Sequence, residues 1–233
     1  MLDFDVVKPE IKRYALATPE IECCGLITEK DNLLKVFPCE NIAINKRNQF
    51  KIKEKDYLRA SLNGKIKATY HSHLNEENFS ITDRVNCYLS GYIYLLYIIE
   101  KNFFKLLNPE NTFSYLNKEF ILGRNDCYHL VKEFYQTEKN IFLPEISNYD
   151  QINDQFISDL ASEHHLQIET DVNQIQSGDI IVFNLLGENK LPHFAIFLGN
   201  GYILHHPRNG YSQINLLTPA LFKKYKYFLR CLN

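Results

Sequence analysis

The sequence predicts an α+β protein of two domains. Three observations lead there. The apolar pattern alternates along the chain between helical and strand periods. A turn signal, Asn108-Pro109-Glu110-Asn111, falls near the middle and leaves pieces of roughly 110 and 120 residues, each close to the commonest domain size. The second piece opens on one helix and continues as strands joined by short turns.

In the first piece, the spacing predicts a helix over 6–17 and a strand over 33–38. Residues 66–70 run apolar-polar-apolar into His71 and read as a strand. A helix over 82–89 follows, and 92–99 is a continuous β-prone apolar run, as a buried strand would be. In the second piece, Asn125 and Asp126 are good caps for a helix over 127–136, with Tyr128, Val131 and Tyr135 near one face. Strands are predicted over 179–184, 194–198, 202–206 and 225–229, and Gly199-Asn200-Gly201 reads as a hairpin turn.

Composition narrows the function classes. The 233 residues are 45% hydrophobic and 23% charged, which excludes a disordered chain. A net charge of -2 argues against a nucleic-acid partner held by bulk positive charge. The opening, MLDFDVVKPE, carries acids where a secretory leader carries basic residues, and 92–99 is far shorter than the ~20 apolar residues of a membrane-spanning helix. These features predict a soluble chain made in a cytoplasm, with no membrane-spanning segment. The six cysteines (Cys23, Cys24, Cys39, Cys87, Cys127 and Cys231) are too thinly spread for a disulfide scaffold and read as reduced thiols.

Two groups of residues carry chemistry. His71 and His73 sit at the end of a predicted strand, where alternation projects both imidazoles to one side. Asp83 lies ten residues on, within Ser80-Ile81-Thr82-Asp83. Two imidazoles and a carboxylate leave one position open for water, the arrangement of a catalytic zinc site, and Glu22 is a candidate general base. Ser80-x-x-Asp83 is equally the ordinary capping box of a helix start. Glu22, His71-x-His73 and Ser80-x-x-Asp83, together with Cys23-Cys24-Gly25-Leu26-Ile27 and Ala68-Thr69-Tyr70, resemble the JAMM (MPN-type) metalloprotease motif. The resemblance implies one zinc ion on His71, His73 and Asp83. It implies Glu22 as the base acting on metal-bound water and Ser80 as a hydrogen-bond donor to the oxyanion. The sequence departs from the motif at Leu74, where a proline is usual, and in a His73–Ser80 spacer one residue short.

The second group is a thiol and its bases. Cys127 falls in the first turn of a predicted helix, where the macrodipole and unpaired N–H groups favour a thiolate and can hold an oxyanion. His193 opens one predicted strand and His205-His206 closes the next, giving a nucleophile, a base and an orienting group. A three-residue turn places His205 on the face of His193 and a two-residue turn places His206 there, so spacing leaves both open. Asp126-Cys127-Tyr128-x-Leu130-Val131, Gly178-Asp179-Ile180-Ile181, His193-x-Ala195-Ile196 and Leu198-Gly199-Asn200-Gly201 resemble the NlpC family of cell-wall cysteine peptidases. That resemblance implies a reduced papain-like fold, Cys127 as nucleophile, His193 as base and His205 as third residue. It implies peptidoglycan stem peptides as substrate, cut between D-γ-glutamyl and the diamino acid, with Tyr115 as a candidate substrate-holding tyrosine.

The pairing of a JAMM/MPN-like α/β domain (1–110) with a papain-like NlpC-type domain (111–233) is similar to the tail-tip assembly proteins of lambda-like long-tailed phages. Phe134-Tyr135, Ile141-Phe142-Leu143-Pro144, Leu204-His205-His206 and Leu229-Arg230 agree with it. It implies other tail-tip proteins as partners, assembly in the host cytoplasm and a place at the tail tip of the virion. The alternative is a structural or assembly module of the tail tip with one or both sites vestigial.

Overall fold

A computed structural model describes residues 3–146, 152–184 and 192–231. The chain forms two compact units, Met1–Phe113 and Ser114–Asn233. None of the described helices is long and apolar enough to cross a membrane.

The first unit is a five-stranded sheet in the order β2-β1-β3-β4-β5, formed by β1 (Cys24–Lys30), β2 (Leu33–Cys39), β3 (Lys65–His73), β4 (Ile93–Ile98) and β5 (Phe103–Leu107). Neighbours are antiparallel except β3 and β4, which are parallel. A parallel pair needs a crossover, and α3 (Ile81–Ser90) supplies it. Helix α1 (Lys8–Ala17) follows a 3-10 turn at Phe4–Val7, because Pro9 is tolerated only at a helix start. It buries Ile11 and Ala15 in a cluster with Ile27, Val36, Ala68, Tyr70, Leu95 and Tyr97. Cys24, Leu26, Ile52 and Ala60 form a second cluster with Phe37, Phe50 and Tyr57, built around α2 (Glu54–Asn63). The fully buried Tyr70 is paired with Gly25, where a Cβ would stand 2.5 Å from its hydroxyl and from the Phe37 carbonyl. Glycine is therefore required at that crossing.

The second unit is a six-stranded antiparallel sheet. It comprises β6 (Leu166–Glu169), β7 (Ile180–Phe183), β8 (His193–Gly199), β9 (Tyr202–His205), β10 (Gln213–Leu216) and β11 (Tyr225–Cys231), in the order β10-β9-β8-β7-β11-β6. Helix α4 (Cys127–Lys139) packs on β8, with Tyr128 edge-on to Phe194 at 5.5 Å. Tyr135 donates a hydrogen bond to the Gly178 carbonyl at 3.0 Å. The Arg230 guanidinium clamps Asp179 through Nε–Oδ1 (3.2 Å) and Nη2–Oδ2 (2.8 Å), tying β11 to the start of β7. Helix α5 (Asp154–Glu163) leads into β6, and the short α6 (Pro219–Phe222) leads into β11.

The β8–β9 hairpin resolves an ambiguity of the sequence. Gly199 pairs directly with Tyr202, so the turn is the two-residue Asn200-Gly201, with φ of 52° and 77°. Counting alone then selects His206. A register shift between Phe197 and Gly199 restores the pairing of Ala195 with His205, so His205 shares the face of His193. Elements not expected from the sequence are α2, β5, α5, β6, β10 and α6. Strand β1 was expected only through resemblance.

Candidate functional site

In the first unit, the end of β3 projects His71 and His73 to one side, Glu22 lies two residues before β1, and Asp83 lies in the first turn of α3. Cys23 and Ser72 fix the two strands at this point: the Cys23 N–H donates to Ser72 Oγ (3.0 Å) and the Ser72 N–H to the Cys23 carbonyl (3.0 Å). His71 Nε2 lies 3.5 Å from Asp83 Oδ2, and His73 Nε2 lies 3.4 Å from Glu22 Oε1 and 3.9 Å from Asp83 Oδ2. All four side chains are buried. Ligand atoms of Glu22, His71 and His73 lie within 4.8 Å of one another, so Glu22 stands among the potential ligands as well as beside them.

Ser80 is the N-cap of α3 and completes a capping box with Asp83. Its hydroxyl donates to Asp83 Oδ2 (2.7 Å), its N–H donates to the same oxygen (2.9 Å), and Oγ accepts from the Asp83 N–H (3.1 Å). In this geometry the Ser80 proton steadies Asp83 and is not presented to a substrate oxyanion.

The electrostatics follow from burial. Burial pushes Glu22 up to about 8, against the pull of His71. Burial opposes ionisation of Asp83 too, but His71 and the Ser80 hydrogen bonds outweigh it and hold the carboxyl down at about 2. Burial disfavours a charged His71, and Asp83 and Glu22 more than offset that, raising its pKa; His73 is lowered by burial and by His71. Neither nitrogen of His71 has a hydrogen-bond partner among the described residues, although the ring is fully buried and stacks on Phe50 at 4.6 Å. A first-row divalent ion would satisfy His71 Nε2, which lies with His73 Nε2 beside the Asp83 and Glu22 carboxylates, so the donor set fits zinc.

In the second unit, Asp126 caps α4. Its Oδ1 accepts from the Tyr128 and His129 N–H groups (both 3.0 Å) and its Oδ2 from Gly123 (2.7 Å). Cys127 is thereby fixed as the first helical residue. Cys127, His193 and His205 line one apolar cavity of about 200 Å³, together with Phe120, Phe194 and Leu221. His193 Nε2 lies 3.1 Å from His205 Nδ1, with the rings edge to face, and His205 Nε2 is buried without a hydrogen-bond partner among the described residues.

The thiol departs from the sequence expectation. Burial pushes Cys127 up to about 12, and Asp126 adds to this, although hydrogen bonds from the backbone of Phe194 and the helix start pull the other way. Burial lowers His193 to about 3 and His205 to about 4, with neighbouring imidazoles contributing. The resting pair is a neutral thiol and a neutral imidazole. Tyr115 does not reach this cavity: it is fully buried and its hydroxyl donates to Glu138 Oε1 at 3.0 Å. The sequence reading passed over two other cavity residues, His206 and Arg208. His206 was weighed only as a substitute for His205, and a lone arginine in a loop gives no signal.

A thiol at a helix start, sharing a cavity with a histidine that a second histidine touches, defines a peptidase-type site on a helix-plus-antiparallel-sheet frame. Residues 114–230 match the NlpC/P60 family, and the chain belongs to that family, whose members are cysteine peptidases. Among known proteins, it is similar to tail tip assembly protein K of Escherichia phage N15, at 26% identity over 91% of this chain and 93% of that protein. Two solved structures are remote likenesses. An NlpC/P60 family protein from Bacillus cereus ATCC 10987 has 15% identity and a TM-score of 0.40, covering 95% of this chain and 67% of that one. NlpC2 from Trichomonas vaginalis has 14% identity and a TM-score of 0.39, covering 91% and 72%.

Proposed function

We propose that the protein is a phage tail-tip component whose second unit is a cysteine endopeptidase acting on the stem peptides of peptidoglycan. The observation that carries this reading is the convergence of Cys127, His193 and His205 on one cavity within an NlpC/P60 domain. Similarity to a tail tip assembly protein across nearly the whole of both chains supports the tail-tip setting and other tail proteins as partners.

In the productive tautomer, His193 Nε2–H donates to His205 Nδ1, which leaves His193 Nδ1 as the base. His193 takes the thiol proton as Cys127 attacks the amide carbon, because both groups rest neutral and the proton must move with the attack. The Cys127 N–H at the start of α4 faces the developing oxyanion. His193 then protonates the leaving amine, and water releases the acyl group from the sulfur. The His205 contact stabilises the transient imidazolium.

In the first unit, the proposal is a JAMM/MPN-like zinc site. His71, His73 and Asp83 would hold the ion, with Glu22 as base or additional ligand and Ser80 orienting Asp83. When bound, zinc supplies Lewis acidity and an activated water. A second reading, an assembly module with a vestigial first site, draws on the shortened His73–Ser80 spacer and on Ser80 being spent on the cap.

The test is digestion of purified Gram-negative peptidoglycan by the folded wild-type protein and by Cys127→Ala, with fragments read by mass spectrometry. Split stem peptides from the wild type alone support the peptidase. Silence from both supports the assembly module.

A further inference from the structure

The cavity at Cys127 holds one charged group that the chemistry above does not use. Apart from its three histidines, the charged side chains lining it are Asp126 and Arg208. Asp126 is committed to backbone N–H groups, two in the first turn of α4 (Tyr128 and His129) and that of Gly123 ahead of the helix. Arg208 has no hydrogen bond or ion pair among the described residues, and it is exposed at the lip of an otherwise apolar cavity.

The backbone around Arg208 is fixed. The Gly210 N–H donates to the Pro207 carbonyl at 3.2 Å, closing a four-residue turn with Arg208 second and Asn209, at φ 61°, third. A positive φ at the third position is the type II geometry, which also fixes the backbone of the second residue. Gly210 packs against the Pro207 ring, where a Cβ would stand 3.2 Å from Cγ. The turn is anchored in turn to the segment before α4: the Phe120 N–H donates to the Gly210 carbonyl at 2.9 Å and the Ser212 N–H to the Lys118 carbonyl at 2.9 Å. A guanidinium with no partner among the described residues, carried on a fixed turn at the edge of this cavity, is suited to recognise a carboxylate, because that partner gives paired charge-assisted hydrogen bonds.

We infer that Arg208 is a specificity-determining residue that binds a carboxylate carried by the substrate beside the scissile amide. This rests on the cysteine-peptidase reading of the same cavity. Two carboxylates meet the description: the free α-carboxylate left by a γ-linked glutamyl residue, on the acyl side, and a terminal carboxylate on the leaving side. The first is next to the carbon that Cys127 attacks.

The test uses the full chain with Cys127→Ala, so that binding is read by calorimetry without turnover. Three peptides share one γ-linked glutamyl amide. The first has a free α-carboxylate and an amidated C-terminus, the second an α-carboxamide and a free C-terminus, and the third has both groups amidated. The first is expected to bind roughly 10- to 100-fold more tightly than the third. Arg208→Gln on the same background is expected to lower the affinity for the first peptide to that for the third, removing the difference, while Arg208→Lys keeps part of it. A preference for the second peptide that Arg208→Gln removes assigns the carboxylate to the leaving side. Equal binding of all three, binding of none, or a preference that survives Arg208→Gln overturns the proposal. Cleavage of the same peptides by the protein with Cys127 intact is scored separately. Failure to cleave, with Arg208-dependent binding present, contradicts the peptidase reading and leaves the carboxylate site standing.

Discussion

Replacing Asp126 by alanine removes an acceptor of three backbone N–H groups, two in the first turn of α4 and one ahead of it, and the partner of His129 Nδ1 at 3.1 Å. The carboxylate is buried and accepts from Gly123 (2.7 Å), Tyr128 (3.0 Å) and His129 (3.0 Å). Loss of an N-cap costs about 1 kcal/mol. The Gly123 N–H lies outside the helix on an exposed residue, where water can replace the lost acceptor, so it adds little. The sum is about 1–2 kcal/mol, or a fall in melting temperature of roughly 4–8 °C for a unit of this size. Asp126→Asn keeps one acceptor oxygen for Tyr128 and His129 and is expected to cost about half as much. The charge has its own signature. Asp126 is one of the groups that raise the Cys127 thiol, so Asp126→Asn is expected to lower its pKa, although burial, the larger cause, persists. Calorimetry of the full chain reads the first effect and the pH profile of iodoacetamide labelling at Cys127 reads the second. A melting temperature within about 2 °C of wild type in Asp126→Ala, or a thiol unmoved in Asp126→Asn, refutes the reasoning.

Acid should weaken the second unit through its histidines. His193 and His205 are lowered to about 3 and about 4 from an ordinary 6.5, chiefly by burial. Between those values the unfolded chain binds protons that the folded chain does not, so stability rises with pH there. The contribution is complete above about 6.5 and is lost as pH falls toward about 4, at about 1.4 kcal/mol per pH unit for each histidine. Denaturant titrations at pH 5 and pH 7 should show this difference, and it should shrink in His193→Asn. For the first unit, metal analysis of protein dialysed against zinc should find about one ion per chain. His71→Ala should lose it, whereas Ser80→Ala, which removes a support of Asp83 and no ligand, should retain binding with lower affinity. Zinc at 100 times its Kd should stabilise the wild type by about 2.7 kcal/mol and leave His71→Ala unmoved.

The sequence was informative where local pattern and burial agree. Strand alternation placed His71 and His73 on one side because β3 is buried to its last residue. Asp126 announced the start of α4 because capping is local. Edge elements were silent for a physical reason: β6 and β10 each bury a single residue, and β5 buries none, so none carries an apolar period. In α2 the buried positions are Asp56 and Ala60, which give little apolar contrast. Turn counting left His205 and His206 open because a bulge in the opposite strand, invisible to counting, decides the face. The thiol was misjudged for the same kind of reason. A helix start is legible in sequence, whereas the protein that packs over it is contributed by β8, more than sixty residues away, and its burial outweighs the helix.

The most direct test of the account is a search for the covalent intermediate. Full-length protein is mixed with a γ-linked glutamyl peptide, quenched in acid within its first turnovers, and its mass measured before and after proteolytic mapping. The account predicts one added acyl group, located on Cys127, absent from Cys127→Ala and accumulating when hydrolysis is slowed. Peptide cleavage that persists in Cys127→Ala, or an acyl group mapped to another residue, contradicts it.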